Sequence, residues 1–266
     1  MNIFFRELRA HRKSLIAWSV GMFFLVLSGM SKYSAYSASG TSANELFKHL
    51  PKALQALLGV GGGVDLSTAI GFYSVLFLYI IVMASIHASL LGAEIISKEE
   101  QDKTAEFLFA KPVSRTQVIT QKLLASVFNI VVLNLVALVS SIAIVAAFNK
   151  GASANTDIVL LMVGLLFVQL IFASIGMAAA AISKKPKRAA PIATGFLLVT
   201  FFLSVWLDIY SKLPGLKYLT PFQYFVARNI IRDTSLDPIY IALSVGIVAV
   251  MLLAVYLSYN RRDLST

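Results

Sequence analysis

The residues able to do chemistry are few and scattered. His11, His49 and His87 stand far apart and cysteine is absent, so the spacing offers neither a zinc ligand set nor a thiolate nucleophile. No Gly-x-Ser-x-Gly elbow occurs. Gly59, Gly61, Gly62 and Gly63 are followed by no Lys-Ser or Lys-Thr, which makes them a helix breaker and not a phosphate loop. The expectation is therefore no catalytic residue, no metal and no cofactor held by this chain. Four polar side chains remain inside long apolar runs: His87, Asn129, Asn134 and Gln169. Polar groups are costly in hydrocarbon, so each marks either a transport pathway, or a proton site in the case of His87, or a contact between helices.

The runs that hold them dictate the architecture. Of 266 residues, 58% are apolar and 14% charged, where a soluble domain carries roughly a quarter charged residues. Six stretches stand out: Leu15–Ser31, Leu66–Ala93, Leu123–Asn149, Ile158–Ser183, Ala189–Leu207 and Ile239–Asn260. Each supplies the roughly 17 to 25 residues that a helix needs to cross a hydrocarbon layer of about 30 Å. Apolar residues continue round every face, unlike the alternation of a barrel strand. The expected fold is an all-α membrane protein with six transmembrane helices, forming one domain over residues 1–266. The net charge of +10 sits at the flanks of the runs and not in a stripe, which points to anionic lipid headgroups and away from nucleic acid.

The basic residues also set an orientation. Arg6, Arg9, Arg12, Lys13, Lys98, Lys103, Lys111, Arg115, Lys122, Lys184, Lys185, Lys187, Arg188, Arg261 and Arg262 fall on one side, and they are most of the 23 lysines and arginines. By the positive-inside rule that side is cytoplasmic, and so are both termini. At the amino terminus Phe4, Phe5, Leu8, Leu15 and Ile16 share one side of a helix whose remainder is largely charged, which predicts an amphipathic segment in the inner headgroup region before the first span. Leu46, Phe47, Leu50, Leu54, Leu57 and Leu58 predict a second interfacial helix within 43–60, on the outer side. Between the fifth and sixth spans, Asp208–Pro238 mixes aromatic and apolar residues with Pro214, Gly215 and Pro221, and each half is too short to span. A broken hairpin dipping into the outer leaflet is expected. Ala84, Ala88 and Gly92, with Gly176 and Ala180, recur every four residues and predict close helix contacts, within one chain or between two.

The connection from Glu94 to Lys122 carries the sharpest signal. Thr104 precedes a short helical run with Phe107, Leu108 and Ala110 apolar, Pro112 stops it, and Ser114 starts the return to the membrane. A bare return loop needs only a few residues. This one presents a helix with exposed charge and an apolar face, suited to a cytoplasmic partner.

Written out, Lys98-Glu99-Glu100-Gln-Asp-Lys-Thr104-Ala-Glu106-Phe107-Leu108, then Pro112-Val-Ser-Arg115 and Lys122, resembles the link between the second and third spans in permease subunits of ABC-2 type ATP-binding-cassette transporters. It departs from the usual form at Gln101, where a basic residue often follows the glutamate, and at Lys103, where glycine often precedes the threonine. The resemblance implies a coupling helix seated in an ATPase cleft, with Glu99, Glu100, Thr104, Glu106, Phe107, Leu108, Pro112 and Arg115 as candidate coupling residues. It further implies two ATPase subunits that bind ATP and Mg2+, a second copy or a related permease chain, and a bacterial or archaeal cytoplasmic membrane. The apolar outer hairpin favours export of amphipathic peptides or lipophilic small molecules. A carrier or channel driven without ATP would show inverted repeats, discontinuous midplane helices or paired mid-span charges, none of which is visible. A membrane scaffold or assembly factor is the third possibility.

Overall fold

The computed structural model describes residues 3–38, 44, 49–60, 65–104, 113–149, 154–183, 185–210 and 214–261. Six helices among them are long and apolar enough to cross a membrane. They are α1 (Ile3–Ala38), α3 (Ala69–Gln101), α4 (Arg115–Phe148), α5 (Asn155–Ile182), α6 (Ala189–Ile209) and α8 (Pro238–Arg261). Two short helices, α2 (Lys52–Leu57) and α7 (Ala227–Asp233), lie in the first and last connections. Six crossings return the chain to the end of the bundle where it began. That end is called the termini end below, and the opposite one the far end.

The bundle is built round α3 and α5, which form its most extensive contact. In each, 61% of the most apolar window is buried, against 17% in α1 and 11% in α8. Two glycines explain the intimacy of the central pair. A Cβ on Gly92 would run into the carbonyl of Ala173, and one on Gly176 would run into the carbonyl of Ser89. The small-residue stripes thus meet each other inside one chain. Backbone approach gains dispersion contacts where lipid tails leave no hydrophobic drive between helices. Exposed apolar side chains such as Phe24, Val139, Val199 and Leu253 cover the outside of the bundle, as a lipid-facing surface requires.

Two expectations change. The amino-terminal segment is not a separate interfacial helix, because α1 runs unbroken from Ile3 to Ala38. At about 1.5 Å per residue it is about 54 Å long, so its ends project beyond a hydrocarbon layer of about 30 Å. Its faces are mixed. Phe4, Leu8 and Leu15 pack against the core and Arg9, Arg12 and Lys13 are exposed, but Phe5 and Ile16 are exposed too. Glu7 and His11, spaced by four from Ile3 and from each other, turn inward where the bundle supplies polar partners.

The connection after the second span is the other change. Helix α3 continues to Gln101 and α4 begins at Arg115, so both ends of the expected 94–122 connection are continuations of the flanking helices, while the short helix expected after Thr104 lies outside the described residues. Lysine and glutamate are good helix formers, and nothing in Lys98–Gln101 stops the helix.

At the far end the segment 214–226 forms 3-10 turns at Pro214–Leu219 and Pro221–Gln223 before α7. Phe222, Tyr224 and Phe225 are buried. Phe225 stacks on Phe167 of α5 at 5.7 Å, and Phe222 lies 5.2 Å from Phe172 and 5.6 Å from Phe201. Thr220 donates its hydroxyl to the Thr200 carbonyl at 2.8 Å, and the Gln223 amide donates to the Ser204 carbonyl at 3.0 Å. The broken segment therefore packs into the bundle and is not a surface loop. Of the interfacial helix expected within 43–60, the described part is α2, with Leu54 and Leu57 exposed.

Candidate functional site

At the termini end α1, α3 and α4 converge on a group of charges. The Lys122 ammonium, fully buried, donates to a Glu99 carboxylate oxygen at 2.5 Å and to the carbonyl of Ile95. Arg6 donates to the other Glu99 oxygen at 2.5 Å and to Glu7 at 2.6 Å. Glu7 lies 3.9 Å from Lys122 and, through its second oxygen, 3.9 Å from the His11 ring nitrogen. Glu7 and Glu99 are only 2% and 6% exposed. Two acidic side chains face two basic ones, so acid and base are matched in number, and removing one member would leave a partner in the group without its counterpart. Sequence patterning did not reveal this, because Glu7 and Lys122 look like ordinary flanking charges. The signal was the spacing of Ile3, Glu7 and His11, which puts an acid on an inward stripe.

Just beyond this group the chain leaves α3 through a defined turn. The Thr104 amide donates to the Glu99 carbonyl at 2.8 Å and the Lys103 amide to the Glu100 carbonyl at 3.4 Å. That pair of bonds is a Schellman motif, which requires a left-handed residue at its penultimate position. Lys103 takes that conformation, with φ 56°. Glycine adopts it without a Cβ penalty, which gives a physical reason for the glycine of the resembling pattern at this place. On the return, the Ser114 hydroxyl caps α4 by accepting from the Gln117 amide at 3.1 Å. Arg115 donates to the carbonyls of Tyr259 at 3.3 Å and Asn260 at 3.1 Å, at the end of α8, where a cation also meets the negative pole of the helix.

The candidate coupling residues thus separate into two sets. Glu99 is inside the charge group, Glu100 is half-buried and accepts in the turn, Thr104 closes that turn, and Arg115 joins α4 to α8. Glu106, Phe107, Leu108 and Pro112 lie outside the described residues.

The four polar groups of the spans do not form one cluster of hydrogen bonds. Asn134 donates to the Gln169 side chain at 3.0 Å and to the Met162 carbonyl at 3.1 Å, joining α4 to α5. Asn129 donates to Ala125 of its own helix at 2.7 Å. His87 is buried, with its ring edge-on to Trp18 of α1 at 5.5 Å. Tyr73 adds a link that sequence reading missed, donating to Ser141 at 2.7 Å between α3 and α4. Among the described residues no group of three or more acidic or histidine side chains is arranged to hold a metal ion.

Against this geometry the comparisons give one answer. Residues 1–264 match the family described as ABC-2 family transporter protein. The chain belongs to the ABC-2 transporter family. No match was found among curated proteins. With six apolar helices inside the matched range, this ABC-2 protein is a multi-pass membrane protein and fits a permease subunit. An ABC-2 permease works in general with an ATPase component.

Proposed function

We propose that the chain is the membrane-spanning permease of an ATP-driven exporter for amphipathic peptides or lipophilic small molecules, coupled through its 94–122 connection to a separate ATPase. Two ATPase subunits, each binding ATP and Mg2+, would serve two permease chains, as a homodimer or as a pair of related chains. The termini end is cytoplasmic in this reading, in a bacterial or archaeal cytoplasmic membrane. The observation that carries it is the way the connection is mounted. Its two flanking helices are capped at Thr104 and Ser114, bonded to each other through Glu99 and Lys122, and tied to α1 through Arg6. A push on the connection would reach three spans together, which a two-state transporter needs.

Co-expression with the neighbouring ATPase tests this reading. A detergent-stable complex is expected, and the double substitution Glu106→Ala, Leu108→Ala should weaken its assembly or lower its ATP turnover at least tenfold. Normal assembly with full turnover after both changes would remove the coupling role from this segment.

A further inference from the structure

The far end holds a chamber that the coupling reading does not use. It has a volume of about 620 Å³ and lies between α2, α3, α6 and α7. Its walls carry three cations, Lys52, Arg228 and Arg232, and two acids, Asp65 and Asp208. Arg228 pairs with Asp208 at 2.8 Å, and Arg232 pairs with its exposed neighbour Asp233 at 2.9 Å. Lys52 has no ion-pair partner among the described residues. Among the described residues Asp65 accepts on one oxygen only, from the Ser67 hydroxyl at 2.7 Å, the Asn44 amide at 2.7 Å and the Ser67 amide at 3.0 Å. Those donors, the Ser67 hydroxyl first, hold it below the usual carboxylate range, and its second oxygen has no partner among the described residues. The chamber therefore offers both a spare cation and a spare anionic oxygen.

A narrow slot of about 60 Å³ continues from it into the bundle. Ala56, Gly59, Asp208 and Arg228 line both spaces, so the charged chamber and the slot share a mouth. Beyond that mouth the slot is mainly apolar, with Phe77, Leu78, Phe201 and Val205 in its wall and Ser74, Ser204 and Gln223 among them. Gly59 keeps the passage open at the α2 end. It sits at φ 74°, and a Cβ there would lie 3.1 Å from the Leu78 side chain, so any other residue would both strain the backbone and press on that wall. Charge of both signs at the mouth, with an apolar slot behind, is the complement of a molecule whose head carries both signs and whose tail is hydrocarbon. A chamber of this size is within the roughly 300–1,000 Å³ range of small-molecule sites.

We propose that this chamber binds the zwitterionic head of a phospho-amphiphile, its phosphate at Lys52 and Arg228, its ammonium at Asp65, and the first carbons of its alkyl chain in the slot between α3 and α6, with the rest of the chain left to the lipid. Guanidinium and ammonium groups are the side chains suited to phosphate, and a carboxylate is the natural partner of an ammonium. The site is complete within one chain. The inference rests on the reading of the protein as an exporter of amphiphiles, but its test needs neither ATPase nor nucleotide. Failure of binding would remove this site and leave the coupling reading standing, whereas failure of ATPase assembly would leave the site.

The test is binding of lysophosphatidylethanolamine, below its micellar concentration, to the full chain in maltoside detergent, counted by native mass spectrometry. One molecule per chain is expected. Lysophosphatidylglycerol and dodecyltrimethylammonium, which carry one sign each, should bind at least tenfold more weakly, and so should glycerophosphoethanolamine, which has no chain. Lys52→Glu on the exposed start of α2 and Val205→Trp in the slot should each lower affinity at least tenfold while thermal unfolding stays within a few degrees of the unsubstituted chain. A natural phospholipid that copurifies with the chain and is lost in Val205→Trp would identify the bilayer as the source. A chain that purifies empty and takes up only added amphiphile would identify delivered cargo, and both outcomes support the site. Equal binding of all three charge types, or unchanged binding in both folded variants, would overturn it.

Discussion

The two ends of the bundle are held together by different physics. At the termini end, buried Glu7, Glu99 and Lys122 meet half-buried Arg6 across α1, α3 and α4, with Glu99 bonded to both Lys122 and Arg6. At the far end, the segment 214–233 is seated by rings and neutral hydrogen bonds, and beside it is an open chamber lined by partly exposed charges. A buried ion group tolerates little displacement, because separating its members exposes uncompensated charge. Aromatic packing and neutral bonds give way at lower cost, since an interhelical hydrogen bond in a membrane averages about 0.6 kcal/mol. One end is thereby suited to transmit a displacement and the other to accommodate a guest.

Breaking the stiff end should have the largest effect. Lys122→Ala leaves Glu99 and Glu7 facing Arg6 alone, and a loss of about 3–5 kcal/mol is expected in unfolding measured in detergent. The double substitution Glu99→Gln, Lys122→Met should recover most of that loss, since it removes the charge along with its partner. Separating the central helices comes next. Gly92→Val forces a side chain against the Ala173 carbonyl, with an expected cost of about 1–3 kcal/mol in the same assay. At the far end, Thr220→Val deletes the bond to the Thr200 carbonyl and should cost only about 1 kcal/mol, which limited proteolysis of the 214–233 segment would register. Lys103→Gly relieves the left-handed turn before Thr104 and should stabilise the chain by about 0.5 kcal/mol. If Thr220→Val proved as costly as Lys122→Ala, the contrast between the ends would collapse.

The sequence showed the spans well and their inward faces poorly. Length and hydropathy mark a crossing whatever its neighbours are, so six apolar runs became six helices, and the prolines of 214–221 marked a segment that breaks instead of spanning. Gly92 and Gly176 were legible as a contact motif, yet only the fold shows that they meet each other. The inward face of α1 was legible only in part: Phe4, Leu8 and Leu15 pack against the core as their pattern suggests, but Glu7 and His11 turn inward as well, because partners far away in sequence receive them. The charge group lay beyond reach for a related reason: Arg6, Glu99 and Lys122 are far apart in sequence, and each looks like a topology signal. The turn at Lys103 was visible only as a departure from a family pattern, and its φ supplies the cause.

The central claim is that the charge group fastens α1, α3 and α4 into one body at the end that carries the connection. Because the chain has no cysteine, spin labels can be placed cleanly at Arg9→Cys on α1 and Gln117→Cys on α4, two exposed positions. Their separation should be measured by pulsed electron resonance in the complex with the ATPase, before and after ATP is added. The account predicts one narrow distance distribution in both states, which broadens in the Glu99→Gln, Lys122→Met background. A shift of several ångströms on ATP binding in the otherwise native chain would show that α1 and α4 move independently and would contradict it.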